Sequence, residues 1–371
     1  MDEQGGLKTM NQSLGIMTLT PQITNSYFLG IAKKSLSYPI DLYLFSPKGI
    51  SPLNETVDGF YFNKETQSWE NEAFEIPEYI YDRTYYQKDI QSQQAKAVVQ
   101  WLKNQRHIRF LGYGLPNKWH LYEKLKKTPI SPYIPETYLV TDGNHLLNLL
   151  TEHKDIIIKP VDGAHGFAIY HLVESQGGIV VRTTKKEGIR EQSFQRKEIF
   201  IKWVNRILLQ HTFICQKRIL NLTKENAPFD LRILLNKNAS GEWREFQRAI
   251  RVGEQQAILT NISRGASYKS YSDWMTLHDS SWDYIEEELN DIMEEMPLLL
   301  EEHFSALFEI GVDIIIGEDQ SLWILDMNSK PGHKVVDALG PEKLPSLYKA
   351  PLDYCEFLAS QSLTSLRRGD F

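Results

Sequence analysis

At 371 residues the chain has room for about two or three domains and a sizeable core, so no disulfide or metal staple is needed for it to fold. A composition of 42% hydrophobic, 24% charged and 11% aromatic residues excludes disordered and fibrous classes. The formal charge of -7 and pI near 5.9 give no overall field for nucleic acid or anionic lipid, and two cysteines, Cys215 and Cys355, cannot build a disulfide framework or a cysteine zinc site.

The polar N-terminus and the brief apolar run at 14–19 are too short for a signal peptide or membrane span, so a cytoplasmic location and no membrane partner are expected. Runs at 14–19, 40–45, 59–62, 79–81 and 108–111 read as strands, with helices at 26–34 and 91–104 between them. That alternation predicts a small α/β domain with a largely parallel sheet, ending where Gly112, Gly114 and Pro116 break the periodicity. After a helix at 118–126 come closely spaced strands at 137–140, 156–160, 167–172 and 178–184, separated by turns and one helix, the pattern of an antiparallel α+β lobe. A basic helix at 194–209 leads to strands at 213–220, 230–236, 243–252, 311–317 and 321–327. Apolar residues from Ile285 to Leu307 recur at helical spacing, with Pro297 expected to kink or divide that helix.

Three stretches carry chemistry. Lys159 ends an apolar strand and is followed by Gly163 and Gly166, an arrangement that lets loop N–H groups approach phosphate oxygens beside a point charge; a plain hairpin turn explains the glycines equally well. Asp326 and Asn328 are two apart at a strand end and face the same way, and Asp313 falls on the strand expected to pair with it. These hard oxygen donors suit Mg2+, whereas Asp and Asn also begin ordinary turns. What counts against the turn is that Asp313 and Asp326 lie within very apolar strands, where an unpaired carboxylate is costly. Between these stretches, alternation puts Asp230 and Arg232 on one strand face, as a structural ion pair or as a guanidinium held for an anionic group; Arg248, Asn261 and Arg264 are further donors or simply solvated residues.

The order of these pieces is what resembles a known family. Lys118, Lys-Pro with its glycine loop, Cys-Gln-Lys at 215–217, Asp-Leu-Arg at 230–232, Thr-Asn-Ile-Ser-Arg-Gly at 260–265, Val-Asp at 312–313 and Leu-Asp-Met-Asn-Ser-Lys-Pro-Gly at 325–332 look like the ATP-grasp superfamily. Within it the chain is most similar to the YheC/YheD-like, endospore coat-associated group, and more distantly to glutamate-ligating and glutathione-synthetase-like ligases. The resemblance implies an ATP-grasp fold, two α+β lobes gripping ATP at 116–212 and 213–371, preceded by an α/β pre-grasp domain at 1–115. It implies that Lys118 and Lys159 hold ATP phosphates, that the loop Gly163, Ala164, His165 and Gly166 closes over them, and that Gln216 with the backbone of Lys217 and Ile219 meets adenine. Asp313, Asp326 and Asn328 would bind Mg2+, and Arg232, Arg248, Asn261 and Arg264 would face the reacting carboxyl phosphate. Gln216 and Asp326 stand where many relatives have Glu.

The activity so implied is ADP-forming ligation of a carboxylate, activated as an acylphosphate, to an amine, with an amino acid or peptide as substrate and a role in endospore formation. The alternative is an ATP-binding but non-catalytic assembly protein associated with the spore coat. A homodimer is compatible with either.

Overall fold

Apolar strands and capped helices alternate at the start of the computed structural model, which describes residues 11–86, 89–163, 168–185, 188–254, 266–276 and 282–368. Strands β1 (Gln12–Met17), β2 (Ile40–Ser51), β3 (Thr56–Asn63), β4 (Ser68–Glu75), β5 (Tyr79–Asp82) and β6 (Arg109–Phe110) form one sheet in the order β4-β3-β2-β1-β5-β6. From β2 to β6 the neighbours are parallel, as expected; β3 and β4 extend the sheet as an antiparallel hairpin. Helices α1 (Ser26–Ser35) and α2 (Ile90–Lys103) start where Asn25 and Asp89 accept hydrogen bonds from the N–H groups of Phe28 and Ser92. They cover opposite faces: Ile31 and Ala32 pack with Leu14 and Leu42, while Val99 and Leu102 pack with Met17 and Ile80. Strand β4 had no apolar alternation to betray it, because it is an edge strand with no buried residue.

The second sheet is antiparallel throughout. It contains β7 (Thr137–Leu139), β8 (Asp155–Pro160), β9 (Tyr170–Ser175), β10 (Gly178–Lys185), β11 (Gly188–Phe194) and β12 (Phe213–Lys217), in the order β11-β10-β9-β8-β12-β7. Ahead of it lies α3 (Lys118–Leu125), and α4 (Gly143–His153) and α5 (Lys197–Leu208) cover one face. Ile156, Ile158 and Cys215 pack under Leu146, Leu150, Phe200 and Val204, so alternation turns Ile157, Lys159, Ile214 and Gln216 to the opposite face. The helix expected from residue 194 begins later, at Lys197, because Phe194 ends β11 paired with Ile179.

The third sheet comprises β13 (Phe229–Lys237), β14 (Trp243–Val252), β15 (Ser267–Ser270), β16 (Glu309–Ile316) and β17 (Leu322–Asn328), antiparallel in the order β15-β14-β13-β16-β17. Helix α6 (Tyr271–Thr276) follows β15. Helix α7 (Trp282–His303) lays Ile285, Leu289, Ile292, Met296 and Leu300 over Leu231, Ile233 and Val312. Pro297 does not divide it. After α8 (Lys334–Leu339), helix α9 (Leu344–Arg368) crosses back to the start of the chain, where Leu352, Tyr354, Cys355 and Ala359 complete the core under α1. Among the described residues no helix is long and apolar enough to cross a membrane.

Candidate active site

Because side chains alternate along a strand, one face of the third sheet carries a row of charges while the other packs on α7. Asp230 and Arg232 stand on β13, Arg251 opposite Asp230 on β14, Asp313 opposite Arg232 on β16, and Asp326 opposite Asp313 on β17; Asn328 lies two residues further along. Asp313 Oδ1 accepts from Arg232 Nη1 at 2.5 Å and lies 3.0 Å from Arg251 Nη2. Arg251 also holds Asp230 in a two-pronged pair, Nε to Oδ1 at 2.7 Å and Nη2 to Oδ2 at 2.8 Å. The anticipated Asp230–Arg232 neighbours therefore share a face but take different partners. Burial works to raise the Asp313 pKa, yet the two guanidinium groups prevail and hold it down at about 2. Gly311 is required here: a Cβ would meet Arg232 Cζ and Pro331 Cβ, each at 2.7 Å.

Two lysines reach this row from the second sheet's side. Asn117 Oδ1 accepts from His120 N at 3.0 Å, starting α3 so that Lys118 occupies its first turn; the Lys118 N–H donates to Val161 O at 3.1 Å, tying that turn to the end of β8. Lys118 Nζ contacts Asp326 Oδ1. Lys159 Nζ donates to Leu325 O at 2.8 Å. That acceptor is available because the β16–β17 register passes from Asp313–Asp326 to Ile314–Ile324, a bulge that leaves Leu325 outside the pairing. Burial, with Lys118 nearby, lowers the Lys159 pKa to about 8 although Asp326 and Asp313 oppose the shift. A crevice between these elements is lined by Lys118, Thr137, Lys159, Ile214, Gln216 and Ile324. There Gln216 Nε2 donates to Thr137 Oγ1 at 2.8 Å, so Oε1 is the acceptor that this amide can offer a ligand.

The turn after β17 is clamped to the carboxyl end of β5. Arg83 pairs with Glu309 and donates through Nη2 to Pro331 O at 2.8 Å, while Lys330 Nζ lies 2.7 Å from Asp82 Oδ2. Glu309 also accepts from Tyr81 OH at 2.9 Å and lies 2.9 Å from His333 Nε2. Sequence reasoning missed this network and Arg251. The partners in the clamp are hundreds of residues apart, and which arginine of β14 faces the row depends on a second bulge, where the β13–β14 register passes over Phe246.

Of the expected site residues, the structure brings together Lys118, Lys159, Gln216, Arg232, Asp313, Asp326 and Asn328. Gly163 lies just beyond β8 and Ile219 just beyond β12, whose last residue is Lys217. Arg248 is a correction: it projects from the opposite face of β14, binding Glu245 at 2.6 Å and Asn290 at 2.8 Å under the Tyr271 ring, beside an open groove of about 560 Å3. Strand parity separates it from Arg232 and puts Arg251 in its place. Ala164, His165, Gly166, Asn261 and Arg264 lie outside the described residues.

The donor set fits Mg2+ rather than an all-protein metal cage. Two carboxylates and an amide oxygen share one face, but among the described residues no group of three or more His, Cys, Asp or Glu residues could hold an ion alone.

Residues 107–358 match the YheC/D-like ATP-grasp family model. The chain is 33% identical over 351 residues to the endospore coat-associated protein YheC of Bacillus subtilis (strain 168), covering 94% of this chain and 96% of that one. It is 23% identical over 329 residues to the endospore coat-associated protein YheD of the same organism, covering 87% and 72%. Among solved structures, D-cycloserine synthetase DcsG shares the fold at a TM-score of 0.57 and 12% identity, covering 93% of this chain and 100% of that one. The ATP-grasp ligase PsnB, solved with minimal precursor, Mg and ADP, aligns at a TM-score of 0.52 and 13% identity, covering 92% and 98%. With the family match taking in both sheets that face the crevice, and close kinship to YheC along nearly the whole chain, this protein belongs to the YheC/D-like ATP-grasp family.

Proposed function

We propose that the chain is an ATP- and Mg2+-dependent carboxylate–amine ligase that activates a carboxylate as an acylphosphate. The observation that carries this reading is the convergence of Lys118 and Lys159, from two different elements, on the strand that bears Asp326 and Asn328. Family membership supports ATP-dependent ligase activity, and PsnB binds ADP and Mg in its own structure.

In this mechanism the crevice takes the adenine, with Gln216 Oε1 accepting from its amino group and the backbone of Lys217 and Ile219 beside it. Lys118 and Lys159 hold the phosphates, and closure of the glycine loop over them is what the resemblance alone implies. Asp313, Asp326 and Asn328 would hold Mg2+, which would supply charge neutralisation at the phosphates. The substrate carboxylate attacks the γ-phosphorus, ADP leaves, and the amine displaces phosphate from the acylphosphate to form the amide. Arg232 and Arg251, rigidly aimed by Asp313 and Asp230, stabilise the negative oxygens that move in both steps. For Asn261 and Arg264 the motif alone implies a role toward the substrate. No side-chain nucleophile is needed. An amino acid or peptide is the proposed substrate, and the spore-coat association named for YheC and YheD is the proposed setting.

A second reading, nucleotide binding without chemistry in an assembly protein of the spore surface, is favoured by Asp326, a shorter carboxylate than the Glu usual at that place. Measuring ADP and phosphate release from Mg-ATP across a panel of amino acids and small peptides separates the two. Ligation predicts turnover only with particular carboxylate and amine pairs, lost in Lys159→Ala and Asp326→Ala. Tight ATP binding with no turnover across the panel supports the second reading, and absence of ATP binding rejects both.

A further inference from the structure

Every carboxylate of the charged row already holds a cation. Asp230 is matched by Arg251, Asp313 by Arg232 and Arg251 together, and Asp326 by Lys118. The two arginines are fixed by two-pronged or shared bonds inside the sheet. Lys118 differs in kind. It is a point charge on a flexible four-carbon stem at the first turn of α3, its side chain is 17% exposed and that of Asp326 25%, and so the contact can open without any backbone change. Lys159, the other lysine of the crevice, rests on the Leu325 carbonyl.

We infer that Lys118 is an internal stand-in for the metal: its ammonium occupies the Asp326 carboxylate, and nucleotide phosphates draw it away, so that the divalent-cation site is completed as the nucleotide arrives. This deepens, and rests on, the nucleotide-binding function proposed above. A divalent ion and the Lys118 ammonium on Asp326 repel each other, and unlike the guanidinium groups fixed on Asp313 Oδ1 the ammonium is able to leave, phosphate being a better partner than one carboxylate. The exchange conserves local charge pairing: the ammonium passes from carboxylate to phosphate as the metal takes the carboxylate. By linkage, whatever factor the nucleotide adds to metal affinity, the metal adds to nucleotide affinity. Free protein then binds neither partner well by itself, which keeps an adventitious metal from settling on Asp326 in advance.

Bridging of a metal by phosphates would itself couple the two ligands, so the discriminating measurement is on each ligand separately. Mn2+ binding to the full chain is followed by electron paramagnetic resonance of free Mn2+ without nucleotide, and ADP binding by calorimetry in EDTA, for wild type, Lys118→Met and Lys159→Met. The expected result is opposite signs at one residue: Lys118→Met binds Mn2+ about fivefold more tightly than wild type, the scale of a part-exposed ion pair, and binds ADP more weakly. Lys159→Met also weakens ADP but tightens Mn2+ clearly less than Lys118→Met does. The inference is overturned if Lys118→Met binds Mn2+ no more tightly than wild type, or if Lys159→Met tightens it equally, which would mark a general charge effect. If wild type binds no ADP even with Mn2+ present, the nucleotide function itself fails, and this inference with it; coupled binding that ignores Lys118 removes the inference alone.

Discussion

Burial lowers the Lys159 pKa to about 8, against an ordinary lysine value of 10.5. The folded state therefore binds fewer protons than the unfolded chain between about pH 8 and 10.5, and the cost of burying this ammonium diminishes as pH rises through that window. Phosphates favour the charged form, so ADP binding near pH 8 should be accompanied by net proton uptake. Calorimetry in two buffers of different ionisation enthalpy measures this; a heat independent of buffer, or uptake undiminished in Lys159→Met, would contradict it. Asp313 has the opposite linkage. Its carboxylate, held at about 2, contributes stability that is complete above the ordinary aspartate range and is lost as pH falls through the folded value. Asp313→Asn leaves two guanidinium groups short of an anion and is expected to cost about 3 kcal/mol in denaturant unfolding at pH 7, with a flatter acid limb below pH 4. Asp313 stood out in the sequence as a carboxylate inside an apolar strand, where burial without a purpose is expensive, and Lys159 as a lysine ending an apolar strand just before two glycines. Arg251 has the same character, but three arginines stand on β14 and composition cannot choose among them.

At the scale of elements, two bulges decide what the site contains. One leaves Leu325 outside the β16–β17 pairing and lends its carbonyl to Lys159; the other, at Phe246, helps fix which face each β14 arginine takes. Period-2 alternation is readable within a strand, so Asp326 and Asn328 were correctly expected to share a face. The phase between two strands depends on bulges and hairpin turns, and Arg248 was misassigned for that reason. Helix α3 depends on a more visible device. Asn117 directly before Lys118 satisfies a backbone donor of the first turn and fixes where the lysine starts. Asn117→Ala should lower stability by about 1 kcal/mol and weaken ADP binding, while Asn117→Ser should retain most of both. Equal ADP affinity in Asn117→Ala would show that the cap does not position Lys118.

Across the whole molecule, the first and third sheets are joined by buried charge rather than by apolar packing alone. Arg83 and Glu309 are 6% and 5% exposed, 226 residues apart in sequence, and Arg83 also holds the Pro331 carbonyl just beyond Asn328. No local pattern announces such a pairing, which is why the sheets could be read from periodicity while their junction could not. Arg83→Met strands a buried carboxylate and is expected to cost about 3 kcal/mol; adding Glu309→Gln should recover much of the loss. Thermal unfolding of the single and double variants tests this, and a double variant no more stable than the single would mean that the pair is not the source of the cost. Lys330 and Asp82 repeat the device on the same turn, so the strand bearing Asp326 and Asn328 ends in a fixed rather than a swinging segment.

Helix α9 has a bearing on the birth of the protein. The first sheet is roofed on its α1 side by Leu352, Tyr354, Cys355 and Ala359, which are synthesised well after the strands they cover. Until they emerge, Leu14, Ile31 and Leu42 lack part of their cover, so the nascent sheet waits, exposed to chaperones and proteases, for a distant helix to close over it.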